Sequence, residues 1–174
     1  MDDIVVTLRD ESRVTVRAIV PGDACKLHAG FHALSPSARY QRFMGQVADL
    51  TPAMLRYLTC VDGRSHVAYV VHLLDLQERE QQLVAVGRGI RMGASEAELA
   101  ITVGDPLQRL GLGALLLDLL CAWAERESIE CLVAYALPSN QAIRRLLERR
   151  GALHERGDGT LALLLPRASR SHAA

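Results

Sequence analysis

A carboxylate and a glycine-containing loop stand close together in this sequence and could serve one reaction. Glu98 lies in the segment Ala97–Val103, whose alternation and β-branched residues predict a strand. Gly-Asp-Pro at 104–106 ends that strand, and Gln-Arg-Leu-Gly-Leu-Gly at 108–113 leads into an apolar stretch that predicts a helix. The first N–H groups of a helix can hold an anion, and glycine lets a phosphate approach the backbone. An ordinary strand-to-helix connection would also use glycines.

The spacing of the glycines excludes two common phosphate-binding loops. There is no Gly-Lys-Ser/Thr sequence, and the glycines do not match the dinucleotide pattern G-x-G-x-x-G. Gln-x-x-Gly-x-Gly after a strand instead resembles the acetyl-CoA pyrophosphate loop of the GNAT family of N-acetyltransferases. The resemblance implies that the loop amides hold the pyrophosphate of acetyl-CoA and that the preceding strand binds the pantetheine. The residues so implied are Ile101, Thr102, Val103, Gln108, Arg109, Leu110, Gly111, Leu112, Gly113 and Ala114.

Glu98 is the candidate catalytic base. An amine acceptor is mostly protonated at neutral pH, since a lysine has a pKa of about 10.4, so acetyl transfer needs a proton acceptor. The sequence Ala-Glu-Leu-Ala-Ile-Thr-Val resembles the family strand that carries the catalytic glutamate. Alternatively, Glu98 faces solvent or pairs with Arg88 or Arg91. Glu96 is the second choice, because alternation places it on the same face but farther from the loop.

A second motif of the family is present in part. Asn140, followed eleven residues later by Gly151, resembles the family pattern Asn-x10-Gly-Phe. Asn140 either contacts CoA or only caps the following helix. Many members carry a tyrosine acid seven residues after the asparagine, but this position is Leu147. Tyr135 and Tyr40 are alternative acids, and water or no acid at all is also compatible with the sequence.

Two short helices are predicted on the acceptor side. Ser-Pro at 35–36 and Thr-Pro at 51–52 are typical of helix starts. The pattern Ser-x-x-Ser/Ala-x-Tyr-x-Arg-Phe resembles the acceptor-side helices of Pat-type bacterial protein-lysine acetyltransferases. The resemblance implies that Tyr40 and Arg42 bind substrate. Packing of the helix pair onto the sheet would equally explain Tyr40 and Phe43.

Composition narrows the class of protein. Hydrophobic residues make up 49% and charged residues 23% of the 174 residues, which is typical of one globular domain. Lysine plus arginine equals aspartate plus glutamate, so charge does not favour a nucleic-acid partner. The sequence shows no transmembrane run and no basic signal-peptide start. Four cysteines without C-x-x-C spacing predict reduced core thiols in a cytoplasmic protein.

No metal site is expected from the sequence. His28 and His32 have a spacing that could bind a metal ion, but no carboxylate or cysteine in the pattern completes the site.

The predicted fold is an α/β (α+β) GNAT domain with a mixed, mostly antiparallel sheet of six or seven strands and about four helices. Residues 1–12 are expected to form a leader or short edge strand, 13–166 the domain, and 167–174 a flexible tail. The reaction implied by the resemblance is direct acetyl transfer from acetyl-CoA to an amine. The acceptor is a protein lysine or a small molecule, and dimers are common on this fold. The alternative is a non-catalytic acyl-CoA sensor or interaction domain.

Overall fold

The computed structural model describes residues 3–166, which form eight strands and five α-helices. The strands are β1 (Ile4–Thr7), β2 (Arg13–Ala18), β3 (His66–Leu74), β4 (Glu80–Arg91), β5 (Glu96–Val103), β6 (Cys131–Ala134), β7 (Leu153–Glu155) and β8 (Leu161–Leu164). The helices are α1 (Ala24–Ala33), α2 (Pro36–Phe43), α3 (Pro52–Thr59), α4 (Leu112–Arg126) and α5 (Gln141–Arg150).

All strands belong to one sheet in the order β1-β2-β3-β4-β5-β6-β8-β7. Neighbouring strands are antiparallel except β5 and β6, which run parallel. The parallel pair needs a crossover connection, and α4 provides it. The mixed, mostly antiparallel class predicted from the sequence is confirmed, with a slightly larger sheet.

Helices cover both faces of the sheet and divide the core in two. On one face, α4 packs its buried leucines against the central strands, and Leu116, Leu120 and Trp123 have no exposed surface. On the other face, α1, α2 and α3 cover a second apolar cluster that includes Phe31 and Leu50. We call this second face the acceptor face, after the role that the resemblance implies for its short helices.

Local capping chemistry places the two short helices as the sequence predicts. The Ser35 side chain accepts a hydrogen bond from Ala38 N at the start of α2, and the Thr51 side chain accepts one from Met54 N at the start of α3. Asp23, the N-cap residue of α1, makes no capping hydrogen bond to that helix through its side chain. Its carboxylate instead binds the Arg17 guanidinium, so a tertiary ion pair has displaced the local cap.

Residues 4–7 form an edge strand, which is one of the two alternatives expected for residues 1–12. The structure differs from the sequence-based prediction at two other strands. Residues 153–155 form a three-residue edge strand whose short, mostly exposed sequence carries no periodic signal. The predicted strand 131–137 ends at Ala134, and Tyr135 is exposed, because the chain leaves the sheet at that point. The predicted tail, residues 167–174, lies outside the described residues.

A close contact fixes α4 on the sheet. A Cβ atom added at Gly89 in β4 would lie 2.3 Å from Cζ3 of Trp123, so the indole packs directly on the backbone of the strand. Trp123 Nε1 also donates a hydrogen bond to Arg64 O at 3.1 Å.

Two further findings concern the thiols and the helices. Cys25 and Cys60 are exposed, so the prediction of four core thiols is wrong for these two, whereas Cys121 and Cys131 are buried. Among residues 3–166, no helix has the length and apolar character needed to cross a membrane.

Candidate active site

The centre of the sheet contains a gap between its two parallel strands. Strands β5 and β6 pair at only three positions, and the last pair joins Glu98 to Val133. Strand β5 continues to Val103, so its residues after Glu98 are paired with β4 but not with β6. These five residues span about 17 Å at the usual rise of a strand. The backbone edge along the gap is therefore free to bind an extended ligand.

The gap ends at a cluster of unpaired backbone donors. After β5, a short 3-10 turn at Asp105–Leu107 leads to Gly111, the N-cap of α4. Within residues 3–166, the six consecutive N–H groups from Arg109 to Ala114 donate to no acceptor. Unpaired amides at the positive end of a fifteen-residue helix can accommodate an anion such as a phosphate.

The loop has an unusual backbone that its own side chains stabilise. Gly111 has a φ of 99°, a left-handed conformation that favours glycine, and Arg109 also has a positive φ of 65°. Gln108 Nε2 donates hydrogen bonds to Val103 O and to Asp105 Oδ1. The other oxygen of Asp105 accepts from Ser35 N, which ties the loop to the start of α2.

Glu98 faces the acceptor side of the sheet. Its register partner in β4 is Ile90, and Arg88 pairs with Ala100 two residues farther along, so these side chains share one face. Glu98 is half-buried, and neither Arg88 nor Arg91 pairs with it, which rules out the expected arginine partners. Its electrostatic partner is Arg42 of α2: burial lowers the pKa of Arg42, and the Glu98 carboxylate opposes that change.

Arg88 is a further candidate site residue, which the sequence indicated only as a partner of Glu98. It is 3% exposed, and burial, reinforced by the charge of Arg42, lowers the pKa of Arg88 to about 10. Its guanidinium donates to Leu58 O at 2.6 Å, at the end of α3, and contacts His66 Nε2. Burial and the Arg88 charge lower the pKa of His66 to about 4, so this imidazole is neutral at pH 7. The sequence did contain a sign of this buried arginine, because Arg88 is the one charged residue in the apolar run Leu83–Ile90.

A cavity of about 410 Å³ lies between the three acceptor-side helices and the sheet. Its walls are mostly apolar and include Phe31 and Leu50, and Arg42 and Arg88 are its charged lining residues. Thr102 of β5 also lines it, so the cavity adjoins the strand that borders the gap. Neither arginine forms an ion pair within 4 Å with a carboxylate of the described residues.

Glu96, the second-choice base, is engaged elsewhere. Its carboxylate forms an ion pair with Arg156, with 2.6 Å between Oε2 and Nη2, and this interaction lowers its pKa. Both side chains are at the surface. Glu96 therefore has a hydrogen-bonded ion-pair partner, whereas Glu98 forms no hydrogen bond or ion pair within residues 3–166, although both lie on one face of β5.

The remaining predicted residues lie in different surroundings. Asn140 Oδ1 accepts a hydrogen bond from Ile143 N, so it caps α5. Tyr40 is 46% exposed on α2, whereas Phe43 packs edge-on against Phe31 in the core. Leu147, at the position of the usual tyrosine acid, is fully buried. The Tyr135 hydroxyl is exposed and reaches only Met92 Sδ at 3.9 Å.

A family model described as the acetyltransferase (GNAT) domain matches residues 13–152. The chain belongs to the GNAT acetyltransferase family. The "Acetyltransferase Pat" of Mycolicibacterium smegmatis is 32% identical over 157 residues, which are 89% of this chain and 46% of that protein. This chain therefore spans about half the length of that relative.

Solved structures agree with this assignment. The crystal structure of the GNAT domain of S. lividans PAT has a TM-score of 0.80 and 26% identity, and the match covers 94% of this chain and 96% of that one. A Salmonella typhimurium structure with its cofactor acetyl-CoA shares the fold at a TM-score of 0.69 and 17% identity, covering 92% of this chain and 99% of that one. The predicted resemblance to the GNAT family and its Pat-type members is confirmed.

Proposed function

We propose that this GNAT domain transfers an acetyl group from acetyl-CoA to an amine, with Glu98 as the base. The observation that carries the proposal is the continuity between the loop and the gap. Six unpaired N–H groups lie at one end of a free strand edge, and an unbonded carboxylate lies at the other. Phosphates on the loop and an extended arm along β5 would bring a thioester to Glu98.

The parts of the donor site have separate tasks. The amides of 109–114 bind the pyrophosphate, with Gln108 holding the turn, and the backbone of Ile101, Thr102 and Val103 binds the pantetheine arm. The acetyl-CoA-bound Salmonella neighbour, which shares this fold, supports acetyl-CoA as the co-substrate. Asn140 is a weaker member of this set because its side-chain oxygen already caps α5.

The chemistry requires loss of a proton from the acceptor. The amine nitrogen attacks the thioester carbonyl carbon, Glu98 takes the nitrogen's proton directly or through water, and the carbon–sulfur bond breaks. The leaving sulfur then takes up a proton. Two cationic side chains near the reacting atoms, Arg42 and Arg88, disfavour a protonated amine and stabilise negative charge on the carbonyl oxygen.

The acceptor approaches from the face covered by α1, α2 and α3. The apolar cavity beside Thr102 suits an acceptor with an apolar stem, such as the butyl chain of lysine, and the similarity to Pat proteins supports a protein lysine. A small-molecule amine is the other acceptor class. Tyr40, exposed on α2, is positioned on the surface that such an acceptor would meet.

Release of CoA from acetyl-CoA, followed by chromatography, tests the proposal on a panel of lysine peptides, proteins and small amines. A thiol reagent is less suitable because Cys25 and Cys60 are exposed. We expect Glu98→Gln to lower kcat by about 10²- to 10⁴-fold while the Kd for acetyl-CoA is unchanged. Glu96→Gln, on the same face of the same strand, is the matched control and should stay within a few-fold of wild type.

Two outcomes would contradict the proposal. Equal turnover in Glu98→Gln and Glu96→Gln would remove Glu98 from the chemistry. Wild-type protein that binds acetyl-CoA without turnover on the whole panel would favour a non-catalytic sensor. That alternative gains support from one observation, the buried Leu147 at the usual position of the tyrosine acid.

A further inference from the structure

Three side chains of types that can ligate a metal ion converge at the surface of the acceptor face. His28 and His32 are four residues apart on α1 and therefore lie on one side of the helix. Asp49, in the segment between α2 and α3, approaches both: its Oδ1 is 2.6 Å from His28 Nε2 and 3.0 Å from His32 Nε2. The expectation that no carboxylate completes this histidine pair is wrong, because folding brings a residue distant in sequence to it.

The geometry is close to that of a metal site. The three candidate ligand atoms lie within 4.8 Å of one another. With metal–ligand bonds of about 2.1 Å, the ligand atoms of a tetrahedral zinc site are about 3.4 Å apart. Moving the aspartate oxygen from its hydrogen-bonded position to a coordinating one would therefore lengthen each histidine–carboxylate distance by less than about 1 Å.

The aspartate is held in place before any ion binds. Its Oδ1 also accepts a hydrogen bond from Leu50 N at 2.7 Å, and the Leu50 side chain, 4% exposed, anchors the segment in the core. The side chains of His28, His32 and Asp49 are 37, 47 and 59% exposed. An ion can thus enter from solvent, and water can complete its coordination.

The donor set indicates the class of ion. Two imidazole nitrogens and one carboxylate oxygen suit zinc and similar divalent transition ions, whereas calcium and magnesium prefer oxygen ligands alone. Three protein ligands with a fourth position open to solvent are a common arrangement for such ions.

A second cluster of the same residue types does not qualify. Asp23, His72 and Glu80 also lie within ligand distance of one another. However, the Arg17 guanidinium hydrogen-bonds to both carboxylates at 2.6–2.8 Å, and Lys26 Nζ binds Glu80 at 2.9 Å. These two cations already neutralise the carboxylates, so a metal ion there would be repelled.

We infer that His28, His32 and Asp49 bind a divalent transition-metal ion of the zinc type. The ion cross-links α1 to the segment that leads into α3. Phe31 and Leu50, neighbours of these ligands in sequence, line the acceptor-side cavity, so the ion stabilises one wall of that cavity. This site is separate from Glu98, and its test does not depend on catalysis.

Zinc binding is measured by calorimetry, and the visible absorption of Co²⁺ reports the ligand geometry. The titrated protein should be prepared without an affinity tag. It should also carry the substitutions Cys25→Ser and Cys60→Ser, because exposed thiols bind zinc. We expect one zinc ion per chain, and at least about tenfold weaker binding in His28→Ala, His32→Ala or Asp49→Asn. His154→Ala, an exposed histidine on β7, is the matched control and should bind zinc as before.

A second readout is thermal unfolding. Zinc should raise the Tm of the parent protein and not that of His32→Ala, since an ion that binds only the native state stabilises it. Absence of zinc binding, or binding that the three ligand variants do not weaken, would overturn the inference. In that case Asp49 would only hydrogen-bond to the two histidines.

Discussion

Replacement of Gly111 by alanine tests whether the loop conformation is needed for cofactor binding. The residue has a φ of 99° and a ψ of −10°, and a Cβ atom added there would meet no other atom within 4 Å. No steric clash therefore contributes, and the whole effect is backbone strain. A non-glycine residue in such a conformation costs about 1–3 kcal/mol.

The strain must be visible in one of two measurements. If the alanine variant keeps the loop conformation, its free energy of unfolding falls by about 1–3 kcal/mol, and Tm falls by about 2–4 °C for each kcal/mol. If the loop relaxes instead, acetyl-CoA must restore the strained form, and its Kd rises by about 5- to 140-fold. If both responses occur, the loss in free energy of unfolding and the loss in binding free energy should together still equal the strain of about 1–3 kcal/mol.

Chemical denaturation of the free protein and calorimetric titration with acetyl-CoA measure the two parts. Gly63→Ala is the matched control: its φ is 74°, no atom lies within 4 Å of an added Cβ, and it lies in the turn before β3. That turn is near the start of β5, at the opposite end from the loop, because Arg91 N bonds to Ser65 O. The role of the Gly111 conformation is refuted if Gly111→Ala changes neither quantity, or if Gly63→Ala weakens acetyl-CoA binding equally.

Three further predictions concern stability. Gly89→Ala should lower the free energy of unfolding by about 1–3 kcal/mol or more, measured in urea, because the new methyl group would lie 2.3 Å from Trp123. Arg17→Met should lower the free energy of unfolding by about 3–5 kcal/mol, since it leaves the carboxylate of Asp23, 3% exposed, without its main partner. A loss smaller than that caused by breaking an exposed ion pair would contradict this prediction. Burial and a neighbouring guanidinium hold the pKa of His66 at about 4 in the native state against 6.5 unfolded, so the unfolded chain binds the extra proton and stability should fall as pH drops from 6.5 to 4. Urea titrations at several pH values should show this slope, and His66→Gln should make it shallower; buried His72, whose pKa is also lowered by burial, contributes in the same direction.

Local chemistry was readable from the sequence. Ser35 and Thr51 cap their helices as predicted, and Asn140 forms the cap that was one of its two expected roles, because a cap depends on a side chain and an amide three residues away. The order of strand, turn and helix around Gly111 was equally clear, since glycine and proline interrupt two different periodicities.

Features that depend on tertiary contacts were not readable. The apolar run that begins at Cys131 gave no sign that β6 stops at Ala134, because the divergence from β5 is a property of two strands and not of one. The hydrogen bonds of Arg88 and the approach of Asp49 to α1 join residues 17 or more apart in sequence. The gap, the contacts of Arg88 and the cluster of Asp49 with the two histidines therefore emerged only from the folded chain.

The unpaired edge of β5 and the amides of 109–114 consist of main-chain atoms, whereas the acceptor face presents side chains of α1, α2, α3 and β4. Main-chain hydrogen-bonding groups persist through most amino-acid substitutions, whereas a side chain changes with each one. If the proposed function is correct, random mutation should therefore change which amine is acetylated far more readily than which acetyl donor is used. In evolutionary terms, the main-chain part and the side-chain part of the proposed site can change at different rates. A lineage can then acquire a new amine substrate without rebuilding the part that binds acetyl-CoA.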